Sequence, residues 1–267
     1  MQGADWHRQI LTQVANLAGG GRPPGQALDA ILDVMLSHRL QQITERLFHV
    51  TGGVVQSGPF VGMHLLPLSA GSLLAPRLLG CYEEELHPVW FDAARRGYES
   101  MVNVGCGEGY YAVGLARLLP AARVHAFDSA APAQELCRQL ADRNGVSGRV
   151  TVGGACGPAD LAALARPRTL LVCDAEGAER TLLDPAVVSG LEVCDIVVEL
   201  HDFLDAGVSH DVPARFVATH DVTLIHQTGR DPNALPLVQG WGQFDQALAV
   251  LEGRPGPTPW ALLRARS

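Results

Sequence analysis

Residues 102–114, VNVGCGEGYYAVG, run from an apolar stretch through three alternate glycines into residues that suit a helix. Met101 to Val104 have the character of a short buried strand. Gly105, Gly107 and Gly109 then fall where a tight bend must carry bare backbone close to a ligand. Tyr110 to Leu119 continues as a helix, so the segment predicts a strand, a glycine turn and a helix that opens over the turn. Such a turn is built to receive a nucleotide-like ligand.

A second strand follows in RVHAFD, Arg123 to Asp128, and it ends in a carboxylate about 20 residues beyond the turn, where an acid accepts hydrogen bonds from both ribose hydroxyls of an adenosine. Asp128 is therefore the expected ribose ligand. Dinucleotide turns space their glycines G-x-G-x-x-G, whereas this one reads G-x-G-x-G with Glu108 between the second and third. The spacing favours S-adenosylmethionine over NAD.

Outward from this unit, strand and helix patterns alternate as in a parallel sheet covered on both faces. Toward the C-terminus the pattern predicts a helix over 131–144 that stops at Gly145, a strand over 149–152, a helix over 158–166 and a strand over 169–174. A helix over 178–188 and a strand over 194–200 follow. The tail reads as a helix near 212–219, a strand over 222–228, a helix near 241–252 and a last strand, WALLRAR. Toward the N-terminus, residues 1 to about 50 are helical in pattern, interrupted by GGGRPPG. In the second helix Leu28, Ile31, Leu32, Met35 and Leu36 are spaced to form one apolar face. These helices are expected to pack on the later domain or on a second subunit, as in a homodimer. Residues 49–80 read as irregular connection with short strands, and 85–98 as a helix. The expected organisation is an N-terminal helical extension with its connecting segment over 1–80, and a ligand-binding α/β domain over 81–267.

Composition narrows the function classes. A chain of 267 residues, 47% hydrophobic, can bury a full core, and its net charge of -8 without a Lys or Arg run argues against a nucleic-acid partner. The six cysteines contain no C-x-x-C pair, which points to small core residues and away from a zinc site. MQGADWHRQ lacks the basic and apolar blocks of a secretory signal, so a cytoplasmic setting is expected. In the most apolar stretch, Phe60 to Leu79, Pro67, Gly71 and Pro76 would break a spanning helix, so no membrane segment is expected.

The order of strand, glycine turn and acid resembles the class I S-adenosylmethionine-dependent methyltransferases. Two further segments, DAEGAERTLLDP from Asp174 and VVELHD from Val197, resemble the FkbM-type members. The family pattern D-x-E-G-x-E is matched by Asp174, Glu176, Gly177 and Glu179, and its Glu-x-His by Glu199 and His201. GCYEEEL, from Gly80, is similar to an element that precedes the first strand in some members, and the resemblance covers about residues 80–230. It implies a doubly wound, Rossmann-like, seven-stranded and mostly parallel sheet with the last strand antiparallel. It also implies S-adenosylmethionine as cofactor and methyl transfer to a hydroxyl of a small molecule or glycan.

Ligands of open parallel sheets bind beyond the carboxyl ends of the strands, where Gly105, Asp128, Asp174 and Glu199 all fall. The turn, Gly105 with Cys106, Gly107 and Gly109, should meet the methionine portion; Asp128 with Ser129 should meet the ribose; and Gly154 to Gly157, including Cys156, should meet the adenine. Tyr82 and Glu83 are expected to close over the methionine end. His201 is the candidate general base, oriented by Glu199 and accompanied by Asp174; the plainer alternative has His201 only capping the sheet edge. These three side chains are also able to take Mg²⁺, although no residue is assigned to a metal. Glu176 and Glu179 are equally well explained by helix-start electrostatics. Arg230 suits either an anionic acceptor or plain solvation. Methylation of nitrogen or of a peptide, a non-catalytic S-adenosylmethionine-binding protein, and an NAD-dependent oxidoreductase are the competing functions.

Overall fold

The computed structural model describes residues 2–69 and 73–266. Seven strands form one sheet in the order β3-β2-β1-β4-β5-β7-β6. They are β1 Ser100–Val104, β2 Arg123–Phe127, β3 Val150–Gly153, β4 Thr169–Cys173, β5 Asp195–Glu199, β6 His220–Ile225 and β7 Trp260–Ala265. The first five pair in parallel, and β7 runs antiparallel to both β5 and β6. This is the expected doubly wound α/β sheet with its last strand reversed. Every residue of β1 and β4 is buried, which explains why these central strands read as mostly apolar stretches, with Ser100, Asn103 and Thr169 as their buried polar members.

The order reverses at β1, which has β2 on one side and β4 on the other. The carboxyl ends of β1 and β4 therefore border the crevice that such a reversal creates. Helices α5 Tyr110–Leu118, α6 Ala131–Arg143 and α7 Pro158–Leu164 connect the parallel strands near the expected positions. Gly145 ends the α6 region with φ 68°, as expected for the left-handed position past a helix end.

Three helices differ from expectation. The one expected over 178–188 is a single turn, α8 Glu179–Leu182, because Pro185 disfavours helical backbone at Asp184, whose side chain instead accepts from Ala186 N–H. The one expected near 212–219 starts earlier, as α9 Val208–Ala214, behind Gly207 at φ 82°. The tail helix shortens to α10 Gln243–Ala249.

N-terminally, α1 Gln2–Gly19 and α2 Pro24–Thr51 form a hairpin, and α2 reaches α3 Leu74–Leu79 and α10. The apolar face read on α2 is largely unburied, since Leu28, Leu32 and Met35 are exposed and the buried positions are Ala27, Ile43 and Leu47. Ile43 and Leu47 join one hydrophobic core with Phe60, Trp90, Tyr110 and Trp260, on the face of the sheet that α4 His87–Arg96 and α5 also cover. Among the described residues of 49–80 only the bridge of Val54 with His64 is strand-like, and Gly71 lies outside the described residues. No helix among the described residues is long and apolar enough to cross a membrane. All six cysteines are free thiols, and all except Cys156 are buried.

The glycine turn depends on one close approach. Gly105 has φ 74°, and a Cβ built on it would lie 1.6 Å from the backbone oxygen of Asp174. Gly105→Ala should therefore displace the β4 exit and cost about 3 kcal/mol or more, measurable as a loss of urea-unfolding free energy. A loss below about 1 kcal/mol would contradict the contact.

Candidate active site at the strand ends

Hydrogen bonds join the ends of β1, β2 and β4. Gly105 and Cys106 N–H both donate to the Phe127 carbonyl at 2.9 Å, and Asp174 N–H donates to the Val104 carbonyl at 2.9 Å. Asp128 lies where the sequence expects it. Its Oδ2 accepts from Gly107 N–H and its Oδ1 from Ala130 N–H, both at 2.8 Å. Each carboxylate oxygen retains a further lone pair for a ligand hydroxyl. Ser129 is exposed beside it, and Cys156 is half-buried at the end of β3.

Cys106 is a packing residue of the turn. Contact with the Cys137 thiol and burial push its own thiol well above the ordinary range, which removes it as a nucleophile. Cys137 lies against the turn from α6, with its Sγ 2.8 Å from where a Cβ on Gly109 would stand.

Asp174, Glu199 and His201 come together as the sequence pattern implies, with one ligand atom from each lying within 4.8 Å of the others. His201 is 5% exposed. Its Nδ1 sits 2.7 Å from Glu179 Oε1, while its Nε2 stands 3.5 Å from both Asp174 Oδ1 and Glu199 Oε2. Burial pulls the imidazole pKa down, but the hydrogen bond with Glu179 and the nearby charges of Glu199 and Asp174 outweigh it and raise the pKa to about 10. The surroundings of His201 thus favour its charged form. Asp174 is raised well above the carboxylate range by burial and by the Glu199 charge. At Glu199 burial also acts upward, but the bond to His201 and the charge of Arg254 prevail and lower it.

Glu179 is more than a helix-start carboxylate. It is fully buried, with Oε1 on His201 and Oε2 accepting from Gly177 N–H at 2.9 Å. Glu176, by contrast, is exposed.

Tyr82 and Glu83 also reach this end of the sheet, through a buried ion network that sequence reasoning missed. Arg254 donates from Nη1 to Glu199 Oε1 and from Nη2 to Glu83 Oε1, both at 2.7 Å, and from Nε to Glu252 at 3.0 Å. Arg230 is neither solvated nor free for an acceptor. It pairs with Glu85 and Glu252 and donates to the Cys81 carbonyl at 2.7 Å. Glu83 holds a left-handed backbone, φ 48°, and accepts from the Tyr111 hydroxyl. Its carboxyl is raised well above the usual range by burial and by the Glu199 charge, with Arg254 opposing. The Tyr82 ring lies 4.6 Å from the Arg77 guanidinium. Arg254 occurs in EGRPGPTP, a loop with no pattern of its own, so nothing local in the sequence marks it.

Two open grooves, one of about 650 Å³ on the N-terminal helices and one of about 470 Å³ between those helices and Trp241 and Asp245 of the α10 region, share no residue with this crevice.

No protein-family model and no curated protein matches the chain. Among solved structures, the chain is similar to the O-methyltransferase TomG of Streptomyces achromogenes, solved with S-adenosylmethionine. The identity is 16% and the TM-score 0.49, covering 70% of this chain and 81% of that one. It is similar to an O-methyltransferase of Bacillus cereus solved with S-adenosylhomocysteine, at 12% identity and TM-score 0.48, covering 84% and 91%. An rRNA methylase of Streptococcus thermophilus is similar at 14% identity and TM-score 0.49, covering 68% and 97%.

Because the His201 pKa is higher in the fold than its ordinary 6.5, protonation favours the folded state. In protein freed of divalent ions, the stabilisation from His201 is complete below pH 6.5 and is lost as pH rises through about 10. The stability gap between wild type and His201→Gln should therefore narrow from pH 6.5 to 10 in urea titrations. A gap constant with pH would contradict the charged imidazole.

Proposed function

We propose that the protein is an S-adenosylmethionine-dependent methyltransferase that acts on a hydroxyl of a small molecule or glycan. The observation that carries this is the convergence of a glycine turn without side chains, the ribose-type acid Asp128 and the Asp174, Glu199 and His201 cluster at one switch point of the sheet.

The residues suit this cofactor. The turn leaves bare backbone where a Cβ would intrude, and Asp128 has acceptor capacity for two ribose hydroxyls. Glu83 and Asp174 are raised well above the carboxylate range, and the other four carboxylates of the network, Glu85, Glu179, Glu199 and Glu252, still outnumber Arg230, Arg254 and the His201 imidazolium. That excess of negative charge favours a cationic ligand over a pyrophosphate. Gly105, Cys106, Gly107 and Gly109 would line the methionine portion, with Tyr82 and Glu83 beside it. Ser129 would accompany Asp128 at the ribose, and Cys156 the adenine. When bound, S-adenosylmethionine supplies a methyl group on sulfur that needs little further activation.

What remains for the chain is to hold an acceptor oxygen in line and receive its proton. Alignment of this kind accounts for roughly 7–11 kcal/mol of a barrier. The proton goes to the carboxylate cluster, whose ionised member is Glu199, held below the ordinary carboxylate range; Asp174 is the more accessible member, its side chain 31% exposed against 9% for Glu199. The presence of such a proton acceptor favours a hydroxyl over an amine, which needs little help once neutral.

Isothermal titration with S-adenosylmethionine should give micromolar binding to the wild type. Asp128→Asn keeps an acceptor for Gly107 N–H but loses the charge, and should weaken binding by roughly 10–100-fold. NAD should give no heat. Failure of the wild type to bind S-adenosylmethionine would overturn the proposal.

A further inference from the structure

An apolar pair stands in solvent beside the acidic cluster. Phe203 and Leu204 follow His201 on the β5 exit and are 50% and 53% exposed. The turn that carries them is fixed, because the N–H groups of Leu204 and Asp205 both donate to the His201 carbonyl, at 2.9 and 3.0 Å. The Phe203 ring stands edge-on to the His201 imidazole, with centroids 5.7 Å apart. Leu204 lies against Gly177, its Cβ 3.7 Å from where a Cβ on that glycine would stand. The pair therefore meets both loops of the cluster, one side chain through His201 and the other through the loop that begins at Asp174. An ordered aromatic ring and a leucine left in water next to reacting groups form a surface for the apolar body of a ligand.

Charge at this mouth excludes an anionic body. Arg180, the arginine that follows Asp174 in the β4 loop, is committed: its Nε donates to Asp205 at 2.6 Å and its Nη1 pairs with Asp211. Arg254 is held by Glu83, Glu199 and Glu252, and His201 stands among Glu179, Glu199 and Asp174. Glu176 is exposed on the β4 loop, and Asp202 is half-buried on the β5 loop with its carboxylate on Ser209 N–H. A carboxylate or phosphate on the acceptor would meet these acids, with each nearby cation already paired.

Resting on the methyl-transfer reading, we infer that Phe203 and Leu204 bind the acceptor and that the acceptor is an uncharged molecule with a phenolic hydroxyl on an apolar body. The proton acceptors of the cluster are carboxylates, weak bases with ordinary pKa values of about 4. A phenol ionises at about 10 and an aliphatic hydroxyl at about 16, so the phenol is the better matched donor by about 6 pK units. The phenolic O–H bond breaks with its electron pair kept on oxygen, and the proton passes to the carboxylate cluster. The oxygen takes the methyl carbon as the carbon–sulfur pair returns to sulfur. Phe203 would hold the ring by an aromatic contact, and Leu204 would cover its edge.

Full-length protein loaded with S-adenosylhomocysteine is titrated calorimetrically with naphthol, with its ortho-carboxylate hydroxynaphthoate and with methyl glucoside. Naphthol should bind at least tenfold more tightly than hydroxynaphthoate, and methyl glucoside should give no heat. Both side chains stand half in solvent, so Phe203→Ala and Leu204→Ala should fold as the wild type does. Each should weaken naphthol binding, Phe203→Ala by at least tenfold. Naphthol that does not bind the loaded protein, that binds no better than either competitor, or that binds both variants as it binds the wild type would overturn the acceptor class. The loading titration keeps the two readings apart. Loading without naphthol binding rejects the phenolic acceptor alone, and failure to load rejects the methyltransferase together with its acceptor.

Discussion

The contact of Gly105 with the backbone of Asp174 is the constraint on which the rest of the site depends. With no room for a Cβ between them, the exits of β1 and β4 lie against one another, and the first residue of the glycine turn and the first residue of the acidic cluster become neighbours. Asp128 then ties the second strand to the same turn through Gly107 N–H. Three chain segments that leave the sheet separately are thereby held as one surface. A substitution at residue 105 would disturb the ribose acid and the carboxylate cluster together.

A second layer of order comes from charge. Arg254 and Arg230 arrive on loops late in the chain and are almost completely buried among Glu83, Glu85, Glu199 and Glu252. Burying so many ions is expensive, and such networks rarely add net stability over apolar packing. What the network does here is positional. It fixes Glu83 in a left-handed backbone beside the crevice and aims one oxygen of Glu199 at His201. Removing Arg254 alone would leave Glu83 and Glu199 buried without their guanidinium, a worse state than never having built the network.

Much of the fold was legible because its signals are local. The apolar runs of the central strands, the glycine turn and the acid that ends β2 each lie within a few residues of sequence, and they predict the sheet and its switch point. Errors arose where tertiary context or proline chemistry prevails. Pro185 cut short the helix expected over 178–188, and the apolar face of α2 that periodicity marks is exposed while Ile43 and Leu47 carry the packing. In the site, the motif residues Asp174, Glu199 and His201 were legible as a set, but their protonation was not. The pKa of His201 is set by Glu179, a residue equally well explained as a helix-start acid, and by burial that no spacing reveals. Arg254 was invisible because its partner Glu83 lies 171 residues away.

The central claim is that the strand-end crevice is a cofactor site, and a crystal structure of the protein grown with S-adenosylhomocysteine tests it most directly. The account predicts ribose hydroxyls on the Asp128 carboxylate, backbone of Gly105 and Gly107 against the homocysteine portion, and the sulfur facing Asp174. Density for the ligand elsewhere on the chain, or a crevice without it at saturating concentration, would contradict the account.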